Sequence, residues 1–317
     1  MTYEESLDPE LAAMLAKFPP LPDFRDIPAG RAAIKELMQK YPRVPNTAGV
    51  RISDRMVPGP AGGPQVRLRI YQPTTGSTPL PGMYYMHGGG YIIGTPDQED
   101  DTVCQIVREV GCVAVSVDYR LAPENKFPAP VEDCYAGLKW MASHASEIGV
   151  DPARIAIGGR SAGGGLAAGL ALMVRDRAEV KVIYQMLIYP MIDDRTRARP
   201  GATITDARVW NHAHNDLAWA AYLDTQPGGA GTSPYAAAAR ASNLAGLPPA
   251  YIVVGDAEVF LDENIEYARR LGQAGVRAEL HVFPGAFHGW EVNVPAARAS
   301  IRAVTERTAI LKRALHG

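Results

Sequence analysis

From about residue 80 onward, short apolar runs alternate with stretches of helical spacing, and this alternation constrains the fold more than any other property of the chain. The segments "GMYYM" (82–86), "GCVAVSVDY" (111–119), "RIAIGG" (154–159), "VIYQMLIYP" (182–190), "PPAYIVVGD" (248–256) and "RAELHVFPG" (277–285) read as strands. The continuous apolar runs among them, such as 111–119, are strands buried on both faces. Between them, "CQIVREV" (104–110), "PAPVEDCYAGLKWMASHAS" (128–146), "AGGGLAAGLALMVRD" (162–176) and "DENIEYARRLGQAG" (262–275) read as helices, and "ARASIRAVTERTAILKRAL" (297–315) closes the chain as an amphipathic one. Such alternation makes a mostly parallel sheet with helices on both faces. In these sheets the chemistry sits beyond the carboxyl ends of the strands. Two earlier segments, "VRISDRMV" (50–57) and "VRLRIYQP" (66–73), alternate apolar and polar residues as half-buried strands do. Residues 8–19 and 29–41 predict a helical N-terminal arm, broken by Pro19, Pro20, Pro22, Pro42 and Pro45. After Asp193 the pattern turns irregular, and "DARVWNHAHNDLAWAAYL" (206–223) predicts one or two helices inside a long excursion.

Composition narrows the class. Of 317 residues, 47% are hydrophobic and 21% charged, which is globular usage, and the net charge of -2 comes from interspersed signs with no basic stripe for nucleic acid. No apolar run approaches the ~18 residues of a membrane span. The acidic start "MTYEESLDPELAAMLAKF" lacks the apolar centre of a secretion signal, so a cytoplasmic location is expected. Cys104, Cys112 and Cys134 are odd in number and match no metal spacing; they are expected to be reduced core residues, and no metal is expected.

Gly159-Arg160-Ser161-Ala162-Gly163 is a G-x-S-x-G pattern between a strand and a helix. In that context the turn is sharp and strained, and the serine projects from it as a nucleophile, as in α/β-hydrolases. Attack on an acyl carbon creates an oxyanion that needs preorganised N–H donors, each contributing about 2.7–4 kcal/mol to lowering the barrier. Ala162, next after the serine, offers one. The run His87-Gly88-Gly89-Gly90 after an early strand offers the rest, because glycine leaves backbone amides open to a ligand. Gly89 and Gly90 are the expected donors, with Gly88 a third, and His87 is expected to pin the loop.

A serine hydroxyl needs a base. Where the chain order is Ser, acid, His, the late histidines are the candidates. His288 in "FPGAFHGW" follows the last strand, whereas His281 lies within it and His316 is terminal. The acid that orients the imidazole comes from "VVGDAEVFLDEN" (253–264). Asp262 and Glu263 read as helix N-terminal residues, which leaves Glu258 as first choice and Asp256 as second.

The motifs "HGGGY", "DYRLAPE" (118–124), "FPAPVEDCYAGLKW" (127–140), "GRSAGGGLA", "SNLAGLPPAYIVVG" (242–255) and "GAFHGW" stand in the order of one family. From about residue 50 the chain resembles the hormone-sensitive-lipase-type (bacterial family IV) carboxylesterases. The resemblance implies an α/β-hydrolase fold with a helical cap, cofactor-free hydrolysis of short- to medium-chain esters, and a small-molecule ester as the partner; it also makes a homodimer plausible. On this reading residues 1–48 and 194–235 form the cap, and 49–193 with 236–317 the core. Ser161 and His288 match the family's nucleophile and base, and Glu258 its acid, where Asp is commoner. Arg160 stands where the family often has Asp; it could attract carboxylate-bearing esters, but a solvated or salt-bridged arginine is the favoured reading.

Tyr91, Arg160, Tyr189 and Trp210 are the candidate substrate contacts. Trp210, Trp219 and Tyr222 either line a cap pocket or pack cap against core. Asp118, Arg120 and Glu124 are expected to form a buried polar staple. Two rival functions keep the same fold: an amidase or peptidase with the same triad, and a non-catalytic small-ligand receptor, against which the presence of His288 argues.

Overall fold

The computed structural model describes residues 3–77, 79–196 and 203–317. The apolar runs form strands β1 (Val50–Val57), β2 (Val66–Pro73), β3 (Leu80–Met86), β4 (Val113–Asp118), β5 (Val150–Arg160), β6 (Tyr184–Ile188), β7 (Ala250–Gly255) and β8 (Ala278–Phe283). The helices are α1 (Pro9–Leu15), α2 (Ile27–Lys40), α3 (Asp100–Ile106), α4 (Ala129–Ser143), α5 (Ala145–Ile148), α6 (Ala162–Arg177), α7 (His212–Tyr222), α8 (Leu261–Gln273), α9 (Trp290–Asn293) and α10 (Arg298–His316). The helix expected over 104–110 starts earlier, at Asp100, and closes in a wider turn over Val107–Gly111.

One sheet of eight strands runs in the order β1-β2-β4-β3-β5-β6-β7-β8. β2 is antiparallel to both β1 and β4, and every pair from β4 to β8 is parallel. β7 is buried along its whole length and β3 from Pro81 onward, which is why their sequences are unbroken apolar runs. The edge strand β1 does not follow the half-buried alternation its sequence suggests: Ser53 through Met56 are all exposed along with Arg51, because an edge strand has one side free of the sheet.

The strand order reverses at β3. From there the chain moves outward to β4, then returns past β3 to β5 and proceeds to β8. Right-handed crossovers on the two sides of such a reversal put their helices on opposite faces. α4 and α6 accordingly pack together, and α10 packs along β5, β6 and β7 and against the turn that closes α3. The reversal also leaves a crevice between the carboxyl ends of β3 and β5, where ligands bind in such sheets.

The arm and the segment after residue 203 meet over that crevice. Asp8 caps α1 through the N–H groups of Glu10 (2.9 Å) and Leu11 (3.3 Å), with Pro9 at the first helical position. The Leu21 N–H donates to the Ala207 carbonyl at 2.7 Å, and Phe24 packs on Trp210 and His214. α7 buries Trp219 and Tyr222 against Tyr91, whose ring stacks on Tyr222 at 4.0 Å. Of the region 194–235, residues 197–202 lie outside the described residues. Cys104, Cys112 and Cys134 are free and buried, and burial pushes the Cys112 thiol up to about 12. No helix among the described residues is long and apolar enough to cross a membrane.

Trp219 is fully buried where α7 docks on the sheet domain. Trp219→Ala is expected to lower the unfolding free energy by about 3–5 kcal/mol through lost burial and an unfilled cavity. Urea denaturation at constant slope checks this.

Candidate active site

Met86 of β3 pairs with Gly159 of β5, so the loop after β3 and the turn after β5 start side by side. A Cβ on Gly163 would lie 2.1 Å from the Met86 carbonyl oxygen and 2.4 Å from that of His87. Only a residue without a side chain lets α6 begin this close to β3. Ser161 sits at the turn with φ 55° and ψ -123°, a conformation costing on the order of 1–3 kcal/mol. Three backbone hydrogen bonds hold it there. Its N–H donates to the Ile188 carbonyl (2.9 Å), and its carbonyl accepts from Gly165 (2.9 Å) and Met191 (3.1 Å).

The imidazole arrives from farther away. β8 is three strands from β5, about 14 Å at ordinary strand spacing. The loop after β8 therefore runs back across the ends of β7 and β6. A Cβ on Gly255 would lie 2.0 Å from the Ala286 carbonyl oxygen, so glycine there is what lets the loop cross. Further links are Ala257 N–H to Ala286 O (3.2 Å) and Gly285 N–H to Asp256 Oδ1 (2.6 Å). The loop delivers His288 Nε2 to 2.9 Å from Ser161 Oγ. Its Nδ1 hydrogen-bonds to Glu258 Oε2, and the other Glu258 oxygen accepts the Gly255 N–H at 2.9 Å. Burial pushes the Glu258 carboxyl up, and the imidazole and the Gly255 N–H pull against that. Asp256 is engaged by the Gly285 N–H, and it is Glu258 that hydrogen-bonds to His288. The imidazole meets the rings of Tyr189 (4.6 Å) and Phe260 (5.1 Å) edge-on.

In the glycine loop, Gly89 and Gly90 have φ of 121° and 58°. The Gly89 carbonyl turns back to accept from Ile92 (3.0 Å) and Ile93 (2.9 Å). Among the described residues no backbone carbonyl takes the N–H of Gly89 or Gly90. Ala162, the first residue of α6, has an N–H that helix geometry leaves over. Gly88 differs, since its backbone hydrogen-bonds toward the buried Glu99 carboxylate. His87 stacks on Tyr119 at 4.1 Å with its Nδ1 2.8 Å from the Gly88 carbonyl oxygen. The arrangement can therefore transfer a proton from hydroxyl to imidazole beside a cluster of open amides.

Several expected contacts turn out otherwise. Arg160 offers no free charge to a substrate carboxylate, because its guanidinium pairs with buried Glu99 at 2.7 Å. Tyr91 is fully buried and its hydroxyl donates to the Met191 carbonyl at 2.7 Å, so it holds the loop from beneath. Tyr189 is buried too, with its hydroxyl on Glu291. Asp118, Arg120 and Glu124 form no common staple: they pair separately with Arg67 (2.9 Å), Asp133 (2.8 Å) and Arg31 (2.8 Å). Trp219 and Tyr222 pack α7 on the core. Of these three aromatics Trp210 borders the open amides, its ring 2.3 Å from where a Gly90 Cβ would sit. Sequence reasoning missed Glu99, Glu291 and Arg307. Glu99 stands in the acidic run "DQEDD", which reads as solvated, and nothing local announces its burial.

Sheet order, elbow turn and the Ser161–His288–Glu258 row together define an α/β hydrolase. The chain belongs to the α/β hydrolase fold family, whose family model matches residues 83–292. Among its relatives, the esterase LipI of Mycobacterium tuberculosis is 35% identical over 98% of this chain and 96% of its own. The carboxylesterase NlhH of the same species is 33% identical over 98% and 97%. A solved bacterial heroin esterase superposes with a TM-score of 0.94 at 41% identity, covering both chains fully.

Burial holds the His87 imidazole down at about 4, against an ordinary value near 6.5. Above about pH 6.5 both folded and unfolded chains carry it neutral. As pH falls from about 6.5 to about 4, the unfolded chain takes up a proton that the folded loop refuses. This group therefore removes about 3 kcal/mol of stability across that window. Urea unfolding at stepped pH checks it, with His87→Gln expected to show a shallower acid slope.

Proposed function

We propose that this carboxylesterase hydrolyses short- to medium-chain carboxylic esters through Ser161, His288 and Glu258. The observation that carries the reading is the unbroken hydrogen-bonded row from Ser161 Oγ through both imidazole nitrogens to Glu258, beside amides without an internal partner. Ser161 Oγ–H donates to His288 Nε2, and the oxygen attacks the ester carbonyl as the imidazole takes its proton. The N–H groups of Gly89, Gly90 and Ala162 hold the resulting oxyanion. His288 then protonates the departing alkoxide, leaving an acyl-Ser161. A water, deprotonated by the same imidazole, attacks the acyl carbon, and collapse of the second tetrahedral adduct returns the proton to Ser161 Oγ. Glu258 keeps the Nδ1 proton in place and offsets the imidazolium charge. Every step uses protein groups and water.

Residues 1–48 and 194–235 act as the cap over a core of 49–193 and 236–317, and Trp210 borders the acyl side next to Gly90. The similar proteins support this reading, being named esterases along nearly their whole length.

Ser161→Ala is expected to lower kcat by at least about 10⁴-fold, and Glu258→Gln by about 10³–10⁴-fold with KM nearly unchanged. Asp256→Asn is expected to stay near wild type. Steady-state hydrolysis of p-nitrophenyl esters from acetyl to palmitoyl measures all three and is expected to drop sharply beyond octanoyl. Undiminished turnover in Ser161→Ala defeats the mechanism, and faster cleavage of matched anilides than esters would favour the amidase.

A further inference from the structure

The Tyr189 hydroxyl donates to the Glu291 carboxylate, 2.8 and 2.9 Å from its two oxygens. Arg307 of α10 reaches the same carboxylate at 2.9 Å. Both charges are sealed from water, with side-chain exposures of 1% for Glu291 and 4% for Arg307. A buried ion pair adds little stability compared with apolar side chains of the same volume. Stability therefore does not account for this one. Its location does. Glu291 follows His288 by three residues on the same returning segment, and Tyr189 follows β6 with φ 35°, its N–H on the Val253 carbonyl at 2.6 Å. The Tyr189 ring meets the imidazole edge-on at 4.6 Å with an interplanar angle of 67°.

We infer that Arg307, Glu291 and Tyr189 form a positioning relay for His288. The inference rests on reading His288 as the base. Arg307 fixes the carboxylate, the carboxylate fixes the tyrosine ring, and the ring sets the plane of the imidazole, which Phe260 also meets edge-on at 5.1 Å. None of the three touches the reacting atoms. Their effect is geometric: proton transfer demands placement within about 0.5 Å and 10–20°, and a ring free to swing loses that. The relay also gives the C-terminal helix a part in catalysis that its distance from the site in sequence conceals.

Two variants separate positioning from stability. Tyr189→Phe keeps the ring and removes the hydroxyl. A Glu291→Leu/Arg307→Met double variant replaces the pair by apolar side chains of similar size, and once Tyr189→Phe removes the hydroxyl it would leave without an acceptor, it is expected to melt no lower than wild type. Each is expected to lower kcat about 5- to 50-fold with KM within about twofold, as misplacement of a catalytic group does. Combining all three substitutions is expected to cost no more than the worse of the two, because the links act in series. His288→Ala, measured in parallel, tests the underlying reading; if it keeps wild-type activity, base and relay fall together. If His288→Ala is inactive while Tyr189→Phe retains wild-type kcat, the relay alone is overturned. Additive losses in the combined variant would overturn it as well. Should the double variant not fold, kcat and KM of Tyr189→Phe decide by themselves.

Discussion

The structure depends on one close approach, between the start of α6 and the end of β3 at Gly163. Because no side chain stands there, helix and strand come within contact distance of bare backbone. That single approach sets the turn carrying Ser161 and Ala162 against the start of the glycine loop. The two segments are more than 70 residues apart in sequence, yet both grow directly out of neighbouring buried strands. Donors fixed in this way are the kind that act most strongly on a developing charge, which is what the oxyanion role proposed for these amides requires.

His288 and Glu258 do not share this advantage. Both ride on loops, and loops hold position only when something fastens them. Here each is fastened from behind by a remote part of the chain. The Asp8 N–H donates to the Gly285 carbonyl at 3.0 Å, and the Tyr3 hydroxyl to the Ala257 carbonyl at 2.9 Å, so the N-terminal arm ties down both loops. Arg31 of α2 does the same for the glycine loop, donating to the carbonyls of Ile92 and Ala122 at 2.7 Å. The arm thus serves these loops as scaffold. The costly buried charges follow the same logic. Arg160 with Glu99 lies beside the glycine loop, and Arg307 with Glu291 takes the Tyr189 hydroxyl.

Much of this was legible beforehand, and unevenly. The strands β3, β4, β6 and β7 announce themselves as apolar runs, since a parallel sheet buries both faces, whereas β8 at the edge is only partly buried and carries Glu279 and His281. The elbow is equally plain, because glycine is required by contacts that the turn itself creates. The row of Ser161, His288 and Glu258 was reached from chain order and loop position. The misreadings share one cause. Arg160, Tyr91 and Tyr189 all flank the site in sequence, so they read as substrate contacts. Their partners, Glu99, the Met191 carbonyl and Glu291, lie from 60 to just over 100 residues away, and no periodicity links them. The same holds for Asp118, Arg120 and Glu124, which are close in sequence yet engaged in three separate directions.

By itself the sequence determined which segments are strands and helices, where the backbone must bend sharply and which residue types can supply nucleophile, base and open amides. These are local matters, decided by steric demands and solvent exposure within a few residues. Only the tertiary structure decided which charge meets which, whether an aromatic ring faces a substrate or another ring, and that Glu258 rather than Asp256 reaches the imidazole. Those outcomes turn on sheet order and loop crossing, because burial forces a polar group to take whatever partner the packing brings within reach.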